Sequence, residues 1–135
     1  MKSGAPPLQP GLVYDTGALI AADRDVRRMW ALHARALARG VTPVVPAGCL
    51  VEAARSHLQV SLARLLDGCA IETLDSERAR RAGFQLSAVT NPPGPVDATV
   101  VETALRRRAS VVSSDPGDLL SIAGAANARL HIIEM

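Results

Sequence analysis

Short apolar runs alternate with longer stretches of helical period along the chain. The runs LVY at 12–14, PVV at 43–45 and SVVS at 110–113 are rich in β-branched or aromatic residues, with weaker counterparts in CAIETL at 69–74 and RLHIIE at 129–134. Between them, apolar positions recur at helical spacing over about 16–22, 25–39, 48–66, 76–88, 96–108 and 117–126. Gly40, Gly68 and the cluster NPPGP at 91–95 punctuate these elements. Strands that alternate with helices predict an α/β fold: a three-layer α/β/α domain around a mostly parallel sheet of four to five strands, buried on both faces. Residues 11–135 form one domain in this reading, and residues 1–10 a disordered lead-in.

Composition narrows the class. Only three of the 135 residues are aromatic, so packing must rest on Leu, Val, Ile and Ala. Fourteen of the fifteen basic residues are arginine, the side chain best suited to bidentate phosphate contacts, although the net charge is only +2. Cys49 and Cys69 have no metal-ligand spacing and read as reduced, buried residues of a cytoplasmic protein. The opening MKSGAPPLQPG carries no apolar segment of the secretory type, and no run approaches the ~18 apolar residues that span a bilayer.

In a parallel α/β sheet the strand carboxyl ends and the following helix N-termini share one edge, where ligands bind. Four acids fall there: Asp15 after the first strand, Glu52 in the early turns of the helix after PVV, Asp97 opening the helix that leads into SVVS, and Asp115 just beyond SVVS. Simple structural roles compete for most of them. Asp15 suits a helix N-cap, and Asp115-Pro116 with Asp118 reads as a strong helix start with Asp115 as the cap. Glu52 lies off its helix's apolar face, towards Arg55, as a solvated residue would. Asp97 resists such a reading. On a 100° wheel Val100, Val101 and Ala104 fall at about −60°, +40° and −20° from it, which places an acid inside an apolar stripe.

Carboxylates that converge without an intervening cation repel one another, and a hard divalent cation relieves that repulsion. An all-oxygen donor set without His or Cys points to Mg²⁺, with Mn²⁺ the alternative. Such an ion activates water and polarises a phosphoryl oxygen, so the expected reaction is metal-dependent phosphodiester hydrolysis.

The blocks VYDTGALIA, VVPAGCLVEAAR, VDATVVETALRRRASVVSSDPGDLLSIA and RLHIIE together resemble the PIN-domain family, specifically the VapC-type ribonuclease toxins of toxin–antitoxin pairs. The resemblance runs over nearly all of residues 11–135. It implies a PIN-like fold, a Mg²⁺-dependent endoribonuclease acting on RNA, a homodimer, and neutralisation by a cognate antitoxin. The family's acidic quartet falls on Asp15, Glu52, Asp97 and Asp115. Asp15, Asp97 and Asp115 would hold the metal, Glu52 and Asp118 would reach it through water, and Ser113 would orient the last acid or its water. Two stretches depart from the family pattern: the N-terminal extension and the Pro-rich LSAVTNPPGPVDA beside Asp97.

Thirteen acids less these four leave nine against fifteen basic residues, so the remaining surface is basic. Arg24, Arg27, Arg28, Arg55 and the run Arg106–Arg108 are candidates for phosphate contacts, each with a solvated helix face as the plainer role. Tyr14 is expected in the core, Trp30 in packing or an interface, and His57 on an apolar helix face, while His33 and His131 lack partners at ligand spacing. Two rival functions remain at this level. One is a different Mg²⁺ enzyme such as a phosphatase, disfavoured because Asp15 does not open a D-x-D pair. The other is a catalytically silent PIN-like module that binds RNA or protein.

Overall fold

A computed structural model of the protein describes residues 11–54 and 60–135. The chain runs β1 (Leu12–Tyr14), α1 (Thr16–Asp23), α2 (Arg27–Ala38), β2 (Val44–Pro46), α3 (Ala47–Ala54), α4 (Val60–Asp67) and β3 (Ala70–Glu72). It continues through α5 (Ser76–Ser87), α6 (Pro95–Arg107), β4 (Ser110–Ser113), α7 (Gly117–Ala125) and β5 (Ile132–Glu134). The five strands form one sheet, all parallel, in the order β3-β2-β1-β4-β5.

The chain therefore steps outward from β1 to β2 and β3, then returns to the other side of β1 for β4 and β5. Right-handed crossovers put α1–α4 on one face and α5–α7 on the other, giving the three layers that alternating elements predict. Side chains alternate accordingly. Leu12 and Tyr14 face α1 and α2, and the Tyr14 hydroxyl lies 2.9 Å from His33 Nδ1 on α2. Val13, Val45, Val100, Val101, Val111, Val112 and Ile122 are fully enclosed, with Ala18, Ala22, Ala98 and Ala104 letting the helices approach closely. Trp30 does pack, donating through its ring N–H to the Ala22 carbonyl at 2.9 Å and stacking under Arg64.

Two element boundaries differ from the periodic reading. The helix expected from residue 25 starts at Arg27, because Asp25 takes a left-handed conformation (φ 57°) that breaks α1 from α2. The stretch 48–66 is described as two helices, and residues 55–59, with Arg55 and His57, lie outside the described residues, as do residues 1–10. Gly40, after α2, occupies φ +78°, the backbone turn that lets the chain re-enter the sheet as β2. Among the described residues no helix is long and apolar enough to cross a membrane.

Candidate metal centre

The strand order reverses direction between β1 and β4, and at such a switch point the loops leaving the two strands part and open a crevice at their carboxyl ends. Asp15 immediately follows β1, Ser113 ends β4, and Asp115 stands two residues further on. α3 springs directly from β2, carrying Glu52. α6 runs back into β4, so its first turn, with Asp97, lies at the same edge.

Asp15 is buried (8% exposed) and acts as the N-cap of α1, its Oδ1 accepting from the Ala18 amide at 2.8 Å. Burial pushes its carboxyl above the ordinary value, hydrogen bonds from Ser113, Ala18 and Gly17 oppose that push, and the charge of Asp115 adds to it. Ser113 is fully enclosed, and its hydroxyl oxygen also accepts the Asp115 amide at 3.1 Å. One buried hydroxyl therefore ties the end of β1 to the loop after β4.

Asp97 is where the acids meet. Its pKa rises to about 6, first through burial and then through the charges of Asp118, Glu52, Asp15 and Asp115. All five acids singled out in the sequence therefore share one electrostatic neighbourhood, and none of them forms an ion pair with Lys, Arg or His among the described residues. They do not close into a ready-made cage, since no three Asp, Glu, His or Cys side chains among the described residues form a metal-sized group. Two carboxylates withdrawn from solvent, Asp15 and Asp97, with three exposed ones acting on them and no paired cation among the described residues, make an all-oxygen donor set that fits a hard divalent cation.

Glu52 is exposed and accepts a hydrogen bond from Thr16 Oγ1 at 2.7 Å. A helical period could not reveal this contact of Thr16, because its partner lies 36 positions away. The first residue of α1 thereby turns Glu52 back towards Asp15. Cys49 lies beneath this pair. Burial pushes its thiol up to about 12, a hydrogen bond with Thr16 opposes this, and the charges of Asp15, Glu52 and Asp97 add to it. Burial and these charges keep it a neutral thiol.

Asp115 does not cap α7, contrary to the sequence expectation. Pro116 holds the N-cap position with no side-chain cap bond, its carbonyl accepting from the Leu120 amide at 2.9 Å, and the helix begins at Gly117. The hydrogen bond from the Asp115 amide to Ser113 keeps that residue in the loop and leaves its exposed carboxylate uncommitted to the helix. Asp118 sits in the first turn of α7 and is the strongest of the charges acting on Asp97.

The candidate phosphate-binding arginines separate into two groups. Arg24, Arg27 and Arg28 are exposed. Arg106 and Arg107 are not free: both bind Glu72 at the end of β3, Arg107 Nε at 2.7 Å, and Arg106 Nε also holds Glu102 at 2.9 Å. Arg108 terminates α6 in the left-handed conformation (φ 53°). Of the run 106–108, two members are thus structural ties between α6 and the sheet edge.

No family model matches the chain, and no curated protein matches it significantly. Solved structures do match. A chain of the VapBC2 complex of Rickettsia felis, bound to a DNA fragment from their promoter, superposes with a TM-score of 0.70 at 14% identity, over 92% of this chain and 98% of that one. A chain of the DNA-bound VapBC complex of Salmonella typhimurium gives 0.68 at 15% identity, covering 93% and 98%. A chain of a toxin–antitoxin complex from Klebsiella pneumoniae gives 0.61 at 17%, covering 93% and 100%. At such identities what is shared is the fold, from end to end of the domain.

Proposed function

We propose that the protein is a divalent-metal-dependent endoribonuclease, the toxin of a VapBC-like toxin–antitoxin pair. The observation that carries this reading is Asp97: a carboxyl raised to about 6 by burial and by four other acids, at a sheet edge where no basic side chain pairs with any of them among the described residues. The shared fold with chains of toxin–antitoxin complexes supports the biological setting. A cognate antitoxin protein, a homodimeric state and action on RNA in the cytoplasm belong to the same proposal.

Asp15, Asp97 and Asp115 would hold Mg²⁺ or Mn²⁺, with Glu52 and Asp118 reaching it through water. The bound ion would supply an activated water and charge neutralisation at the phosphoryl group. The chain's own residues prepare the site. Ser113 fixes the Asp15 carboxylate and the Asp115 backbone relative to each other, so two donors from different strands keep their spacing. Thr16 holds Glu52, an otherwise exposed side chain, against the crevice. Arg24, Arg27 and Arg28 provide exposed positive charge to hold the RNA backbone.

The direct test is incubation of a 5′-labelled structured RNA with the purified protein, with Mg²⁺ or with EDTA. Discrete fragments with the metal alone are expected. Cleavage undiminished in EDTA would end the metal reading, and intact RNA across transfer and ribosomal substrates would end the ribonuclease reading. Within the site, Thr16→Val removes one hydrogen bond to a charged group and should lower cleavage by about tenfold, with Thr16→Ser restoring it. Equal rates for Val and Ser at this position would remove Thr16 from the machinery.

A further inference from the structure

The sheet face beneath α2 is incompletely covered at its amino end, the edge opposite the acids. Leu12 of β1 pairs in register with Ser110 of β4, and His131 follows beside them through the bond from the Val111 amide to its carbonyl. Between these residues and α2 lies a cavity of about 230 Å³. Its walls divide by chemistry. Leu12, Leu32, Val41 and Ile133 make an apolar side, while Arg35, Arg39, Ser110 and His131 contribute donors. Arg35 and Arg39 are one helical turn apart and so project on the same side of α2. Ser110 Oγ and His131 Nδ1 are fixed to each other at 2.7 Å.

Neither guanidinium has an ion-pair partner among the described residues. Residues 1–10 and 55–59 contain no Asp or Glu, so those segments bring no carboxylate side chain to them. Glu134, which lines an adjoining space with Arg35, forms no ion pair with it. On the opposite face Arg78, Arg81, Arg106 and Arg107 are paired, whereas Arg80 of α5 has no ion pair among the described residues. The negative end of the α2 dipole favours cations at this terminus, and both exposed guanidiniums keep planar, bidentate donor sets free to exchange water for an anion.

We propose that this cavity binds a small organic anion: a carboxylate or phosphomonoester head held by Arg35 and Arg39, with a short apolar body resting on Leu32 and Ile133. The volume sits below the usual range for drug-sized ligands, which limits the guest to roughly ten heavy atoms. The site lies at the strand amino ends and is separate from the acidic crevice, so it stands or falls independently of the nuclease reading.

Calorimetric titration of the full chain with hexanoate, n-butyl phosphate and neutral hexanol tests it. One of the two anions is expected to bind with a Kd near or below about 1 mM, the better head identifying the guest's class. Hexanol and the double variant Arg35→Gln/Arg39→Gln should each weaken binding by about tenfold or more, the loss of two charge-assisted contacts. Both arginines are exposed, and an unchanged melting temperature confirms that the variant is folded. The proposal is overturned if neither anion binds more tightly than hexanol, or if the double variant binds as wild type does.

Discussion

Asp97→Asn is expected to abolish RNA cleavage and at the same time stabilise the metal-free protein. The two effects have one cause. Asp97 sits half-buried in the first turn of α6, with its pKa raised from 3.8 to about 6 by burial and by Asp118, Glu52, Asp15 and Asp115. An acid that binds its proton more tightly folded than unfolded destabilises the fold when ionised. Stability therefore rises as pH falls from about 7 through 6, and the gain is complete below about 4, where the unfolded chain is protonated too. Two pKa units correspond to about 3 kcal/mol, and partial exposure of the group reduces the expected gain to about 2 kcal/mol.

Asparagine carries no charge at any of these pH values, so the variant should lose this limb of the pH profile and be the more stable protein at pH 7 without metal. On the proposed metal-dependent reading the ranking should reverse with Mg²⁺, because an ion bound by the folded wild type would stabilise it by mass action while the variant would gain little. Cleavage should fall at least 100-fold, the scale of removing a preorganised charged group from such a site. Denaturant unfolding at pH 5, 6 and 7 in EDTA and in Mg²⁺ reads the stability terms, and fragment yield reads the activity. A variant that cleaves as wild type does, or that is no more stable than wild type at pH 7 in EDTA, would remove the metal-site assignment.

What the sequence reveals about this protein depends on how far apart the interacting residues lie. The alternation of elements is local, and it places β1 at 12–14 and β4 at 110–113 where the strands are found. Asp97 is legible for the same reason, since a wheel of about two turns exposes an acid inside the apolar stripe of Val100, Val101 and Ala104. Glu52 is not. Its helix period gives an exposed residue, which it is, but not the hydrogen bond it accepts from a hydroxyl 36 residues earlier. Asp115 shows the converse error: a strong local capping pattern gives way because the Ser113 hydroxyl takes the Asp115 amide and keeps it outside α7. Arg106 has a local partner in Glu102, one turn back on α6, but its bond to Glu72 spans 34 residues and is invisible to periodicity, and His33 reads as solitary because Tyr14 is 19 away. Periodicity describes a face, whereas the partner on that face is set by topology.

Glu72→Ala should be the most damaging loss of a charged side chain outside the acidic site. The side chain is 5% exposed and accepts from Arg106, from Arg107 at 2.7 Å and from Thr103 Oγ1 at 3.0 Å, with Arg78 at 4.0 Å. Burial alone would raise this carboxyl, but the hydrogen bonds from Arg106, Arg107 and Thr103 outweigh it and hold its pKa below the ordinary value. Its contribution is thus present above the unfolded carboxylate range and is lost as pH falls through the folded value, the opposite sign to Asp97. Alanine leaves two partly desolvated guanidiniums facing a void. Breaking a buried pair from one side costs about 3–5 kcal/mol. Because Arg106 and Arg107 keep 25% and 42% exposure, water recovers part of that loss, and about 2–3 kcal/mol is expected. For a domain of this size that lowers Tm by roughly 5–12 °C. Glu72→Gln keeps the shape and an acceptor for Thr103 but not the charge, so it should fall between alanine and wild type. Because Glu72 joins β3 to α6 and Arg81 joins α5 to Glu102 of α6, the same loss loosens the helix whose first turn carries Asp97. Mg²⁺ affinity should therefore weaken in Glu72→Ala even at temperatures where the variant is fully folded. An unchanged affinity would mean that α6 is held in register by its apolar contacts with the sheet alone.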